Sequence, residues 1–248
     1  MALFEAVGLH KRFGEQVVLQ DISLSFEEGQ LSGIMGPNGA GKTTCFNLLT
    51  GRYRPDRGTV RFAGEEITGL SPRRIARKGI SRSFQIMNLF NDYTAIDNVL
   101  MALPAVQKQG WSMWRDLGQN RSAYDEAAEV LARVGLAGKE RTPSKRLSYG
   151  ERRSLEIGVA LAARPRLLFL DEPTAGLGAE GTARLLDLIM QIKRHVTIVI
   201  IEHDMRFLFR LAERISVIHW GQVIAQGSPD ELRENPWVQR SNLGTLQP

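Results

Sequence analysis

Apolar residues along this chain fall into two patterns that are typical of strands. Residues 22–26 alternate apolar and polar side chains, as a strand with one buried face does. Residues 31–35, 167–170 and 196–201 are mainly apolar, which is typical of strands buried on both faces. The segment up to about Phe62 is rich in strand patterns separated by tight turns. These patterns predict a β-rich beginning and a sheet whose central strands are buried.

The middle of the chain has helical periodicity instead. From about Thr94 to Ala163 the signals are helical, most clearly in residues 123–134, which are rich in Ala, Glu and Leu. Trp111 and Trp114 lie in a polar stretch of this region, and we interpret them as buried anchors rather than an exposed docking loop. The pattern predicts a helical insertion within an α/β core.

Composition narrows the class of protein. The 248 residues suffice for a full core, and their ordinary globular composition excludes a disordered or fibrous chain. The net charge of +5 is spread along the chain and suits nucleic acid, an anionic membrane surface or an anionic nucleotide. The single cysteine, Cys45, excludes a disulfide framework and is interpreted as a packing residue. We expect neither a signal peptide nor a membrane span, because the longest apolar runs are far below ~20 residues.

A glycine-rich loop separates the strand pattern at 31–35 from a helical pattern that begins at Cys45. The loop consists of Gly36, Pro37, Asn38, Gly39, Ala40, Gly41, Lys42, Thr43 and Thr44. Its G-x-x-x-x-G-K-T spacing is that of a P-loop, in which glycines let successive N–H groups point at phosphate oxygens. Lys42 can reach the β- and γ-phosphates, and the Thr43 hydroxyl can bind Mg²⁺. Since the following helix N-terminus also favours anions, the segment predicts binding of a nucleoside triphosphate.

Polar residues follow two of the buried strand patterns directly. Asp171 and Glu172 end the first, and Glu202 and His203 end the second. In open α/β sheets ligands lie beyond the carboxyl ends of the strands, so we expect these side chains near the P-loop. Asp171 is the natural Mg²⁺ partner, since Mg²⁺ takes few carboxylates and keeps its waters. Glu172 is placed to polarise a water for attack on the γ-phosphate, and His203 lies on the same side.

Two further segments carry candidate binding residues. Ser148 and Glu151 have the spacing of a capping box at the start of a helix. A capped helix N-terminus beside Gly150 is also a potential anion site. Phe13 follows two basic residues and could stack on a base, but core packing explains a phenylalanine equally well, and local sequence leaves both open.

The ordered set of these motifs resembles the ATP-binding cassette (ABC) ATPases over nearly the whole chain. The resemblance implies an α/β fold: a P-loop NTPase core sheet, an N-terminal antiparallel β-subdomain and an inserted helical subdomain. The core would comprise residues 1–86 and 164–248, and the helical subdomain residues 87–163. It also implies a head-to-tail dimer, with ATP and Mg²⁺ held between the P-loop of one copy and the signature helix of the other.

The resemblance assigns roles to residues within one copy. Phe13 corresponds to the aromatic that stacks on adenine. Gln85 corresponds to the glutamine that contacts Mg²⁺ or the attacking water and meets the transmembrane partner. Asp171 corresponds to the metal-binding aspartate, Glu172 to the catalytic base, and His203 to the histidine that holds the γ-phosphate.

Two departures from the family pattern concern the contact between copies. Ser148 and Gly150 match signature residues that touch the partner's γ-phosphate, with Tyr149 between them. The usual signature is Leu-Ser-Gly-Gly-Gln, so Tyr149 replaces a glycine and Glu151 replaces the glutamine. Gly178 stands where the family usually has Asp or Asn, which puts communication across the dimer through that loop in question.

A finer resemblance is to the ATPase subunits of bacterial branched-chain amino acid importers, and it lies in residues 74–85, 147–150 and 201–205. The related urea importers are nearly as similar. This implies three kinds of partner: a second copy or a paralogous ATPase subunit, transmembrane permease subunits and, indirectly, a periplasmic solute-binding protein. No nucleic acid partner is expected. The implied location is the cytoplasmic face of the inner membrane.

Three alternatives stay open from the sequence. A soluble ABC ATPase acting on nucleic acid usually joins two cassettes or carries a long coiled coil, and this chain has neither feature. An interaction module with an inactive nucleotide site would not need Lys42, Asp171, Glu172 and His203 together. A small-molecule P-loop kinase would leave the capped helix at Ser148 unexplained.

Overall fold

The computed structural model describes residues 2–83, 89–104, 106 and 121–240. The strands are β1 (Ala2–Phe13), β2 (Gln16–Glu27), β3 (Leu31–Met35), β4 (Arg57–Phe62), β5 (Glu65–Glu66), β6 (Ile80–Arg82), β7 (Leu167–Asp171), β8 (Thr197–Glu202), β9 (Arg214–His219) and β10 (Gln222–Gly227). The helices are α1 (Lys42–Leu49), α2 (Pro72–Arg77), α3 (Ala95–Leu100), α4 (Arg121–Arg133), α5 (Tyr149–Ala162), α6 (Ala179–Ile192), α7 (Met205–Leu211), α8 (Pro229–Glu234) and α9 (Pro236–Arg240), with a 3₁₀ turn at Ser144–Arg146.

A mainly parallel sheet forms the centre of the molecule, with the strand order β10-β9-β3-β8-β7-β6. Strand β3 pairs in parallel with both β8 and β9, and β7 pairs in parallel with β8. Every residue of β3, β7 and β8 is buried, as their continuous apolar runs predict. The carboxyl ends of these three strands therefore meet along one edge of the sheet.

The N-terminal segment forms a second, antiparallel sheet with the order β2-β1-β4-β5. An aromatic cluster joins this sheet to the central one. Phe4 and Phe26 lie edge-on to Phe169 of β7, with ring centroids 5.5 and 6.3 Å away, and Phe46 of α1 lies 5.9 Å from the same ring. Buried aromatic groups contribute large apolar areas and specific edge-to-face contacts. Helix α1, which follows the P-loop, is thus fixed between the two sheets.

The opposite face of the central sheet is covered by helices. Leu167 and Phe169 belong to the core shared with the antiparallel sheet, whereas Leu168 and Leu170 belong to the helical core. This alternation is the period of two expected of a strand. Helix α4 contributes a stripe of Ala123, Ala127 and Leu131, spaced one helical turn apart.

Three of the described α-helices lie in the region predicted to be helical, residues 94–163, whereas the described residues 134–143 within it form turns. Helix α3 begins at Thr94 with a capping box, and α4 and α5 follow along the chain. Trp111 and Trp114 lie outside the described residues, so their interpretation stays a prediction. In the described ranges, none of the helices has the length and apolar character that crossing a bilayer requires.

Gly178 is the N-cap residue of α6 and has the extended backbone typical of that position, with φ −77° and ψ 177°. A Cβ atom added there would meet no other atom within 4 Å. Aspartate therefore fits the position and can accept hydrogen bonds from the first N–H groups of the helix. Asp in place of Ala at an N-cap raises the free energy of unfolding by about 1 kcal/mol. We therefore expect the Gly178→Asp variant to melt roughly 2–4 °C above the Gly178→Ala variant.

Differential scanning calorimetry of the two variants measures this difference. The alanine variant is the matched control, because both substitutions restrict the unfolded chain but only aspartate can cap. Equal melting temperatures would contradict the expectation.

Candidate active site

The P-loop follows β3 directly, and two of its glycines are required by close packing. A Cβ atom at Gly36 would lie 2.1 Å from the carbonyl oxygen of Ile218, at the end of β9. Gly41 has a φ of +98° and is packed against Leu19 and Val18 of β2, where a Cβ would lie 2.7 Å from Leu19 Cδ2. The loop is therefore positioned by backbone contacts with β9 and β2 that side chains would prevent.

Lys42 is the first residue of α1, and only 6% of it is exposed. Its Nζ donates to the carbonyl oxygens of Gly36 at 2.7 Å and Pro37 at 3.0 Å, so it closes the loop on itself. Burial lowers the pKa of Lys42, and Glu172, Glu202 and Asp171 partly oppose this shift. The structure thus places the lysine within electrostatic reach of the carboxylates that follow β7 and β8.

Asp171 ends β7 as a buried carboxylate, with 5% of the residue exposed. Burial raises its pKa to about 6, and the neighbouring Glu172 adds to the shift, while Arg82 and Arg153 oppose it. Ionisation of the Asp171 carboxyl therefore costs free energy in the folded protein, and a cation bound to the carboxylate could offset this cost.

Glu172 and His203 come together from neighbouring strands. Glu172 is partly buried and has the unusual φ of +42°, and its N–H donates to the carbonyl oxygen of Ile201 at 2.8 Å. The exposed His203 places Nδ1 3.8 Å from Oε1 of Glu172. The polar residues that follow β7 and β8 therefore lie side by side.

Glu202, which the sequence analysis left without a role, ties these two loops together. It is fully buried at the end of β8. One carboxylate oxygen accepts from the N–H of Thr174 at 3.0 Å and from the Thr174 hydroxyl, and the other accepts from the N–H of His203 at 3.0 Å and of Asp204 at 3.4 Å. The signal in the sequence is a carboxylate that directly follows the apolar run at 198–201, since a buried charge requires partners.

Ser148 caps α5 through the predicted capping box. Its hydroxyl accepts from the N–H of Glu151 at 3.4 Å, and the Glu151 carboxylate accepts from the N–H of Ser148 at 2.8 Å. Glu151 also pairs with Lys139, and this contact and the capping bond lower its pKa. The carboxylate that departs from the family signature is therefore engaged within its own chain.

Tyr149 contacts the loop that follows β7. Its side chain is largely exposed, and its hydroxyl donates to the carbonyl oxygen of Ala175 at 2.9 Å. A cleft of about 680 Å³ lies beside it, lined by residues 148–151, 176–181 and parts of α4, α5 and α6, and by none of residues 36–44. Ser148, Tyr149 and Gly150 thus lie at a cleft that the P-loop does not line.

Phe13 ends β1 with 44% of the residue exposed, so it is not a core residue. Its ring packs edge-to-face with Tyr53, with centroids 5.5 Å apart, and Lys11 Nζ lies 5.4 Å from the ring centroid. No pattern in the sequence had indicated Tyr53. Stacking of Phe13 on adenine stays a prediction, and Gln85 lies outside the described residues.

Cys45 is fully buried in α1, and burial raises the pKa of its thiol to about 12. A nucleophilic thiolate is thereby disfavoured, which agrees with the packing role inferred from the sequence.

The donors present suit Mg²⁺ bound together with phosphate. Thr43 is an exposed residue at the start of α1, and Asp171 supplies a carboxylate at the end of β7. Within the described ranges no group of three or more His, Cys, Asp and Glu side chains could hold a metal alone. Mg²⁺ commonly takes one or two carboxylates and completes its shell with waters and substrate phosphates.

We expect Asp171→Asn to raise the free energy of unfolding at pH 7 in nucleotide-free protein with EDTA. Because the folded protein holds the pKa at about 6, above the ordinary 3.8 of the unfolded chain, ionisation destabilises the fold. The gain should be small at pH 4, grow as the pH rises to about 6 and then stay constant, on the order of 3 kcal/mol. Urea unfolding at several pH values measures it. Asp187→Asn, on an exposed position of α6, is the control, and a gain independent of pH would contradict the assignment.

Comparison with known proteins identifies the family of the chain. A model of the ABC transporter family matches residues 19–175. The high-affinity branched-chain amino acid transport ATP-binding protein BraF of Pseudomonas aeruginosa is 40% identical over 249 residues, covering 98% of each chain. LivG of Salmonella typhimurium, described in the same words, is 39% identical over 244 residues and covers 96% of each chain.

A solved structure of an ABC transporter protein has the same fold. The crystal structure of an ATP-binding cassette of an ABC transporter, in its ADP conformation, matches with a TM-score of 0.85 and 27% identity, covering 98% of this chain and 99% of that chain. The expected α/β fold, with its antiparallel and mainly parallel sheets, is confirmed. The chain therefore belongs to the ABC transporter family, as one of its ATP-binding cassette ATPases.

Proposed function

We propose that this protein is the ATP-hydrolysing subunit of a bacterial ABC importer for branched-chain amino acids. The observation that carries the proposal is the convergence of Lys42, Asp171, Glu172 and His203 at the ends of adjacent strands. The solute is suggested by the relatives BraF and LivG, which are described as branched-chain amino acid transport proteins.

ATP is held by groups of the P-loop in this proposal. The N–H groups of the loop and the N-terminus of α1 face the phosphate oxygens, and Lys42 contributes its positive charge. Thr43, Asp171 and Gln85 would hold Mg²⁺, which when bound neutralises charge on the phosphates. Phe13 offers an exposed ring on which adenine can stack.

Glu172 polarises the attacking water, and His203 donates to the γ-phosphate. The exposed imidazole of His203 lies on the same side as the Glu172 carboxylate, so one water and one phosphate can be engaged together. Gln85 would contact the same water. Catalysis of phosphoryl transfer in this arrangement depends on positioning and electrostatic stabilisation.

A second copy, or a paralogous ATPase subunit, completes the site. Ser148, Tyr149 and Gly150 line a cleft to which residues 36–44 do not contribute, and this supports assigning them to the nucleotide of the other protomer. The capped N-terminus of α5 is a suitable partner for a γ-phosphate. Closure of the dimer on ATP would then drive transport.

The permease subunits would dock on the helical subdomain. We assign residues 87–163 to this subdomain and residues 1–86 and 164–248 to the nucleotide-binding core into which it is inserted. Phe90 and Tyr93 form an exposed aromatic pair there, with centroids 5.8 Å apart. Exposed aromatic clusters are typical of interaction sites. The protein would act at the cytoplasmic face of the inner membrane, and a periplasmic solute-binding protein would deliver the solute to the permease.

We expect Glu172→Gln to retain ATP binding and to lose nearly all hydrolysis, because the amide cannot polarise the water as the carboxylate does. The loss should reach at least about 100-fold in kcat. ATP should then trap a dimer, which gel filtration with and without ATP detects.

Glu213→Gln is the matched control, since it removes an exposed carboxylate just before β9, at the opposite end of that strand from the P-loop. It should hydrolyse ATP at the parent rate. Near-normal turnover by Glu172→Gln would remove Glu172 from the catalytic role.

The transported solute is tested with the complete transporter. We expect the chain to co-purify with its permease subunits, and leucine, isoleucine or valine with their binding protein to stimulate ATP hydrolysis in proteoliposomes. Urea should not stimulate it. Stimulation by urea would indicate a urea importer instead of an importer of branched-chain amino acids. A salt-sensitive affinity for DNA or RNA, without an associated permease, would favour the nucleic-acid alternative.

A further inference from the structure

Arg153 is a buried arginine one turn into α5, and only 4% of it is exposed. A guanidinium group taken out of water must be paired and hydrogen-bonded, since an isolated buried charge costs several kcal/mol or more. Its contacts therefore indicate what the residue is for.

The guanidinium group contacts the turn after β7 through successive main-chain carbonyls. Its Nη2 donates to the carbonyl oxygens of Asp171 at 2.9 Å and Glu172 at 3.0 Å, and its Nε donates to that of Pro173 at 3.3 Å. The planar fork of arginine suits this multiple contact, whereas the single ammonium of lysine does not. Arg153 thus holds the backbone on both sides of Glu172.

Glu156 balances the charge of Arg153 one turn along the same helix. Its Oε2 accepts from Nη1 of Arg153 at 2.6 Å, and both side chains are buried. The ion pair uses Nη1 and leaves Nη2 and Nε to donate to the turn. This division of donors suits a residue that holds main-chain carbonyls.

The backbone held in this way is in an unfavourable conformation. Glu172 has a φ of +42°, in the region that non-glycine residues rarely adopt. Such a conformation costs roughly 1–3 kcal/mol and persists only where the surroundings impose it. Here the surroundings include Arg153 on one side and Ile201 of β8 on the other.

We propose that Arg153 is a positioning residue that fixes the Glu172 carboxylate by holding the 171–173 carbonyls, and so couples α5 to the catalytic turn. The proposal rests on the function proposed above, because it assigns Glu172 the role of base. Arg153 shares α5 with Ser148 and Gly150, so engagement of that helix end by a second copy is transmitted to Glu172 through one rigid element.

Two variants of the full-length chain test the proposal. Arg153→Lys keeps the charge but loses the fork. The double variant R153M/E156L replaces the buried ion pair with apolar side chains of similar volume, an exchange that proteins often tolerate without loss of stability. Arg164→Lys, at an exposed ion pair with Glu126, is the matched control.

We expect both Arg153 variants to lower kcat for ATP hydrolysis by at least about tenfold while KM for ATP stays within about threefold, because misplacing a catalytic group by 1 Å costs rate and not ground-state binding. Amide hydrogen exchange of the nucleotide-free protein should accelerate at residues 171–175 and stay unchanged at the P-loop. Thermal unfolding checks that each variant is folded.

A folded variant with parent kcat would overturn the proposal, and so would unchanged exchange at 171–175. A parent chain that hydrolyses no ATP would instead refute the proposed function. The exchange measurement then still decides whether Arg153 holds the turn.

Discussion

The site depends on the in-register pairing of β3 with β8 and of β8 with β7. Met35 pairs with Glu202, and Asp171 pairs with Ile201, so three strands end at the same level of the sheet. The P-loop, Glu172 and His203 each begin directly beyond those ends. A shift of one residue in either pairing would turn alternate side chains to the opposite face and separate the groups. Leu167 and Phe169 pack in one core and Leu168 and Leu170 in the other, so such a shift would exchange the side chains that fill two closely packed cores.

This pairing also concentrates charge in a region of low dielectric. Burial lowers the pKa of Lys42 and raises that of Asp171, so each ionised group is held at a cost. The buried carboxylate of Glu202 is stabilised by four hydrogen bonds from neighbouring groups. A triphosphate would bring negative charge to Lys42, and its divalent cation would bring positive charge to Asp171. The electrostatics therefore favour a ligand of that composition over a neutral one.

Local sequence patterns predicted the features that depend on residues close together in the chain. They did not predict the contacts that form only in the tertiary fold. The P-loop and the Ser148–Glu151 capping box follow from fixed spacings, and the strands from their apolar runs. Arg153 could not be found in this way, because its carbonyl partners lie 18 to 20 positions along the chain. The bond from Glu202 to Thr174 spans 28 positions and depends on the β7–β8 pairing. Such contacts carry no sequence spacing that would reveal them.

Helix α5 holds the loop after β7 at two points, and this explains how Tyr149 is accommodated. The Tyr149 hydroxyl bonds to the carbonyl of Ala175, and a Cβ at Gly176 would lie 2.8 Å from that hydroxyl. Gly176 also has a φ of +76°, so a larger residue would be both strained and in collision. One turn further along α5, Arg153 holds the carbonyls at 171–173. The element proposed to meet a second copy's nucleotide therefore also fixes the turn that carries Glu172, and the tyrosine adds a contact that a glycine could not make.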